Sequence, residues 1–175
     1  MRRKSFSEMA CPIARSLDRV GEWWSMLILR DAFAGTSRFD DFQQSLGIAP
    51  AMLTRRLSRL VDNGLLERRR YSERPPRDEY VLTERGTDFR PVLIAMLAWG
   101  NRHFAPEGET ILIVDSQTQQ PADPVLVDRT TGRPLAAPDY MVAAGPAATA
   151  AIRRRLARGS RLLGAVPRTA AGAGP

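Results

Sequence analysis

Apolar residues recur at helical spacing through the first hundred positions of the chain, with one interruption. Pro12 opens a first helix at the position where its missing N–H costs nothing, and Ala14, Leu17 and Val20 share a face before Gly21 interrupts. Trp23, Trp24, Leu27, Ile28 and Phe33 nearly encircle a second helix that stops near Gly35, which predicts a central core helix. Ser37 is the expected N-cap of a third helix, with Asp40 and Asp41 in its first turn and Phe39, Phe42 and Leu46 as its buried stripe. Gly47 closes that helix, Ile48 and Ala49 form a turn, and Pro50 starts a fourth helix that ends at Asn63-Gly64. Two helices joined by a short turn containing glycine, here over 37–63, make a helix-turn-helix pattern.

The interruption follows at once. Leu66 to Tyr71 and Glu79 to Leu82 read as strands, with Ser72, Glu73, Arg74, Pro75, Pro76 and Arg77 as the loop between them. Pro75 and Pro76 cannot donate ladder hydrogen bonds and so are expected at the tip. A basic hairpin over 66–82, directly after a helix-turn-helix, is a wing. Thr83 then caps one long helix over 83–103 with Phe89, Val92, Leu93, Met96 and Leu97 as its stripe. The pattern changes after Phe104. Ile111 to Val114, Val125 to Asp128 and Tyr140 to Ala143 suggest short strands, Thr130-Thr131-Gly132 a turn, and Ala147 to Leu156 a short basic helix. From about Ala157 the chain is rich in Arg, Ala, Gly and Pro, a composition expected to be disordered. No internal repeat is read. The predicted fold is mainly α with a small β-wing. It comprises a basic arm (1–10), a winged helix-turn-helix domain (11–104), a small, β-rich appendage ending in a helix (105–156) and a tail (157–175).

Composition narrows the function. No apolar run approaches the roughly 18 residues of a membrane span, and no apolar stretch follows the basic start, so neither a membrane protein nor a secretory signal is expected. One cysteine excludes an internal disulfide framework or a multi-cysteine metal site, and one histidine excludes a histidine cluster. The expected compartment is the cytoplasm. Twenty-six basic residues face nineteen acidic ones, for a formal charge of +7 in 175 residues, and every basic residue except Lys4 is arginine. Eight arginines lie between Arg55 and Arg77, opposed only by Asp62, Glu67 and Glu73. An excess that dense marks a candidate nucleic-acid surface.

The helix from Pro50 to Asn63 divides into two faces. At about 100° per residue, Leu53, Leu57, Leu60 and Val61 cluster on one side, and Ala51, Thr54, Arg55, Ser58 and Arg59 on the other. Arg can take guanine O6 and N7 together, Thr can touch a thymine methyl, and Ala leaves room for close approach, so the second face suits a DNA major groove. The bland alternative is a solvated polar face. In the wing, alternation places Arg68 and Arg70 on one side and Arg69 on the other, while Arg74 and Arg77 at the tip suit a backbone or minor-groove contact. Here the alternative is an edge strand kept soluble by charge.

A resemblance is carried by several motifs in order. Cys11-Pro12-Ile13-Ala14, Trp24 to Arg30, Arg38-Phe39-Asp40-Asp41-Phe42, Ile48 to Leu57, Asn63 to Arg68, Pro75 to Tyr80 and Leu82 to Gly86 together resemble the HxlR-type winged helix-turn-helix regulators. The likeness covers about Cys11 to Gly100. It implies a bacterial transcriptional regulator that binds a double-stranded DNA operator as a homodimer, with no cofactor. Two positions depart from the pattern. The family often has serine where Ala49 stands, so the recognition helix lacks a good N-cap, and often a basic residue where Ala51 stands.

Cys11 lies beside a helix start, where the dipole favours thiolate, and some family members sense oxidants at this position. A small residue without chemistry is the alternative. Trp23, Trp24 and Trp99 are expected in the core, with a ligand-pocket lining as the alternative, and His103 has no assigned role. Asp40 with Asp41, and Glu107 with Glu109, lack a nucleophile or metal partner, and no phosphate loop or triad is found, so an enzyme is not expected. Two other functions remain open: a redox or small-molecule sensor with secondary DNA contact, and a nonspecific architectural DNA binder.

Overall fold

In the computed structural model, which describes residues 5–136 and 138–157, prolines stand in the first turns of three helices. The elements run α1 (Pro12–Val20), α2 (Trp23–Phe33), α3 (Phe39–Leu46), α4 (Pro50–Asp62), β1 (Leu66–Glu73), β2 (Pro76–Leu82), α5 (Glu84–Thr87), α6 (Arg90–Phe104) and α7 (Ala150–Ala157). β1 and β2 form an antiparallel hairpin from Leu66↔Leu82 to Glu73↔Pro76, with an irregularity between Arg70 and Ser72 that leaves Tyr71 without a partner. This is the expected winged helix-turn-helix. No described helix is long and apolar enough to cross a membrane.

The core is the meeting of the inward faces of α2, α3 and α4. Ile28 and Leu29 of α2, Phe42 of α3, and Leu53, Leu57 and Leu60 of α4 are fully buried, and Ile48, Leu65 and Leu66 close the cluster. Gly47 takes the left-handed conformation that ends α3 (φ 59°, ψ 27°), which turns the chain so that Ile48 enters the core and Pro50 can begin α4. The hairpin is tied to α3 before it reaches the wing. The amide of Tyr80 donates to the Ser37 carbonyl at 2.7 Å, and the Ser37 hydroxyl donates to Glu79 at 3.1 Å.

Several expectations are corrected. Ser37 does not cap α3: Arg38 holds that position, because the Ser37 hydroxyl is committed to Glu79 on β2. Pro76 is not in the loop but is the first residue of β2, a place where its missing N–H is tolerated. The long helix over 83–103 is two helices. Thr83 does cap the first, accepting from the Gly86 amide at 3.0 Å, but Pro91 demands a new first turn and the chain breaks at Asp88-Phe89. Of the three tryptophans expected inside, only Trp24 packs on the core; Trp23 is 76% exposed and Trp99 is 56% exposed.

The described residues form two compact units, one running to Pro124 and the other beginning at Val125, each considered by itself. The strands expected at 111–114 and 125–128 are single bridges, Val114↔Pro121 in the first unit and Val127↔Pro134 in the second. None forms at 140–143. The two bridges close turns of one design, and the sequence does contain an internal repeat after all: Val-Asp-x-x-Thr-x-x-Pro at 114–121 and again at 127–134. Asp115 accepts from the amides of Gln117 and Thr118 and from the Thr118 hydroxyl at 2.8–3.1 Å. Asp128 accepts from the Thr130 amide at 3.0 Å and the Thr131 hydroxyl at 2.7 Å. These bonds hold both carboxyls below their ordinary pKa: the Thr118 amide first at Asp115, the Thr131 hydroxyl first at Asp128. The expected basic helix at 147–156 is α7, while the tail and most of the charged start of the arm lie outside the described residues.

Candidate nucleic-acid interface

α4 is held from beneath by its leucines and from one side by a charge pair. Arg56, next to Leu57, is 9% exposed and its Nη2 lies 3.0 Å from Glu22, the N-cap residue of α2. At its end, Asn63 donates to the Arg59 carbonyl at 2.8 Å, Arg85 of α5 donates to the Asn63 carbonyl at 3.0 Å, and the Thr83 hydroxyl donates to the Gly64 carbonyl at 2.7 Å. The helix therefore leaves the body as a fixed rod. Ala51, Thr54, Arg55, Ser58 and Arg59 are all exposed along it. The Thr54 hydroxyl donates back to the Pro50 carbonyl at 2.9 Å, and Arg55 reaches the Met52 sulfur at 3.0 Å. Arg59 makes a long contact, 3.4 Å, to the Asp18 carbonyl of α1. Ala49 gives α4 no side-chain cap, as expected from its methyl group.

The wing sorts its arginines by partner. Arg68 and Arg70 share a face, as alternation requires, and both converge on Asp78 of β2, at 2.7 and 2.6 Å. Their guanidiniums, Arg70 first, hold the Asp78 carboxyl below the ordinary carboxylate range, and Asp78 in turn raises Arg70. Arg69, on the other face, pairs with Glu67. Arg74 and Arg77 sit at the exposed tip, and among the described residues no acidic group pairs with either. Arg55 likewise has no acidic partner among the described residues; Arg59 makes no salt bridge there, but its charge helps, after the Phe6 amide and the Ser5 hydroxyl, to hold the Asp18 carboxyl below its ordinary range. Of the eight arginines from Arg55 to Arg77, four thus make salt bridges and, among the described residues, four do not.

Sequence reasoning placed the candidate residues on the right elements but missed three groups that control them. Asp78 was visible as a charge, and the hairpin register sets it opposite Arg70 and diagonal to Arg68; without the register its role was hidden. Glu22 carried no local signal, since its partner is on another helix. Arg38, exposed at the start of α3, stacks over the Tyr71 ring at 4.7 Å and adds a cation beside the hairpin.

Comparison with known proteins follows the same outline. The HxlR-like helix-turn-helix family model matches residues 19–108. An uncharacterized HTH-type transcriptional regulator of Mycobacterium tuberculosis is 38% identical over 135 residues, covering 77% of this chain and 85% of its own. Among solved structures, the Pseudomonas aeruginosa protein PA1374, described as a candidate transcription factor, is 53% identical with a TM-score of 0.60 over 83% of this chain and 99% of its own. That share is larger than the stretch the family model matches. The redox regulator HypR in its oxidized form is 33% identical with a TM-score of 0.50, covering 53% of this chain and 97% of its own.

Proposed function

Because the chain belongs to the HxlR-like helix-turn-helix family of DNA-binding transcriptional regulators, we propose that it acts as a homodimer on a pseudo-palindromic operator that α4 reads in the major groove. The observation that carries this reading is the separation of tasks on α4. Its leucines and Arg56 are spent on the fold, while Ala51, Thr54, Arg55, Ser58 and Arg59 face outward. Arg55 is the base-reading residue, since it lies near the helix start with an unneutralised guanidinium. Thr54, its hydroxyl already engaged, offers its methyl to thymine, and Ala51 permits close approach. Arg74 and Arg77 contact phosphates or the narrow groove, and Arg68 and Arg70 add to the field with their charge offset in part by Asp78 and Glu73. A two-fold dimer sets its half-sites about 10 base pairs apart, centre to centre, or at a multiple of that spacing. Selection of bound genomic fragments tests the proposal: the recovered site is an inverted repeat bound at least about 10³ times more tightly than random DNA. Recovery of fragments without a common sequence would instead establish the architectural reading.

A second reading concerns Cys11. It is the N-cap residue of α1, immediately before Pro12, half-buried at the positive end of the helix. The likeness to a redox regulator supports an oxidant response there. Oxidation by diamide would join Cys11 to its copy in the partner subunit or to a small thiol, with diamide reduced to the hydrazine. Cys11→Ser retains the affinity of the reduced protein and loses any response to diamide; an equal response in both proteins removes Cys11 from the account.

A further inference from the structure

A groove of about 460 Å³ opens between α2 and α6, with the chain at 111–113 as its third side. Its walls are hydrocarbon and sulfur: Met26 and Leu27 from α2, Leu93 and Leu97 from α6, and Ile113. The size is within the range of small-molecule sites, about 300–1,000 Å³. Two guanidiniums line it as well, Arg30 and Arg90, and they differ in state. Arg30 is neutralised, with Nε and Nη2 at 2.8 and 2.7 Å from one oxygen of the buried Asp31, whose other oxygen accepts from Ser45 at 2.7 Å. Arg90 stacks over the Phe33 ring at 5.2 Å, and among the described residues no carboxylate pairs with it. An apolar trough therefore ends at one uncompensated cation whose plane is set by an aromatic ring.

From this we infer that the groove is a binding site for an apolar monocarboxylate. The walls take the hydrocarbon body by exclusion of water. Arg90 takes the carboxylate, whose two oxygens match the guanidinium fork. One negative charge fits and two do not, because Asp31 has already balanced Arg30. A cationic or neutral amphiphile leaves Arg90 without a partner.

Calorimetric titration of the full-length protein with decanoate and with 2-naphthoate, each against the matched alcohol, tests the site. The expected result is saturable binding of one or both acids, one per chain, at least about ten-fold tighter than the alcohol. Arg90→Gln, a change at an exposed position, erases that difference and leaves alcohol binding unaltered. Leu27→Trp fills the groove from a residue outside the core cluster and removes binding of both. Circular dichroism melts of both variants establish that each is folded. Equal affinity for acid and alcohol, or an unchanged acid affinity in Arg90→Gln, overturns the inference. So does the absence of saturable binding at concentrations where the protein is dimeric, which would mean that a second copy fills the groove.

Discussion

Arg55 and Arg74 carry the same charge, yet their places differ in what they can reach. Arg55 stands near the start of a rod held rigidly from below, and Arg74 at the tip of a hairpin. Arg55→Ala is expected to cost about 1–3 kcal/mol on the operator and much less on scrambled duplex. Arg74→Ala is expected to weaken both duplexes alike and to lower the salt slope by about 1, as loss of one phosphate contact would. Binding isotherms of the two variants across a salt series separate the roles; an equal loss for Arg55→Ala on both duplexes counts against α4 as the reading element. Asp78 is the counterweight to the strand arginines, Arg68 and Arg70. Asp78→Asn releases Arg68 and leaves Arg70 only its longer, exposed contact to Glu73 at 3.6 Å, so nonspecific affinity rises and its salt slope steepens by up to about 2. The same pair sets a pH response. Since the folded carboxyl titrates below its ordinary value, the pair supports the wing at neutral pH and is lost as the pH falls through that depressed value. Carboxyl carbon NMR should show an Asp78 midpoint under the usual aspartate value, and Arg70→Ala should raise it.

At the scale of elements, contacts between backbones matter more than charge. A Cβ built on Gly86 of α5 would lie 2.0 Å from the Leu65 carbonyl oxygen, so the step from wing to α6 requires a residue with no side chain there. Gly86→Ala is expected to destabilise the protein by about 1–3 kcal/mol, the range for overpacking. Gly100 in α6 meets nothing within 4 Å, and Gly100→Ala is expected to stabilise by about 0.5–1 kcal/mol through helix propensity. Thermal melts of the two variants moving in opposite directions check both. The sequence was most informative where a single periodicity governs. The α4 stripe of Leu53, Leu57 and Leu60 was readable and is fully buried, and Gly47 and Pro50, which punctuate α3 and α4, stand where their backbone needs put them. It was least informative where two demands compete. Ser37 looked like a cap because its hydroxyl suits an amide, but β2 claims it from more than forty positions away. Apolar runs at 111–114 and 125–128 looked like strands because a short continuous apolar run cannot distinguish a strand from the arm of an Asp-capped turn. The outward arginines of α4 were legible as a set, while the partition of the wing arginines depended on a register that only the folded hairpin supplies.

For the whole molecule, the apolar residues left uncovered define what must be shared. α1 leaves Ile13 and Leu17 exposed, and α6 leaves Val92, Met96, Trp99 and Phe104 exposed, with the Trp99 and Phe104 rings 4.8 Å apart edge to face. Helices that bury so little within one chain suit the proposed dimer. Trp99→Glu is expected to yield monomers by sedimentation velocity and to reduce affinity for the full operator by about 10²-fold or more, because the second half-site no longer adds its effective concentration. Affinity for an isolated half-site should be unchanged; a variant that stays dimeric would place the interface elsewhere. The anchoring of α4 through Arg56 and Glu22 has a consequence on a longer timescale. The leucines and Arg56 that fix the helix are distinct from the five outward residues, none of which belongs to the core. On the proposed reading, mutations that rewrite the message are thereby uncoupled from mutations that endanger the scaffold. Lineages descended from such a chain can drift to new operators one outward residue at a time without passing through unstable intermediates, and an engineer can exchange those five residues as a cassette.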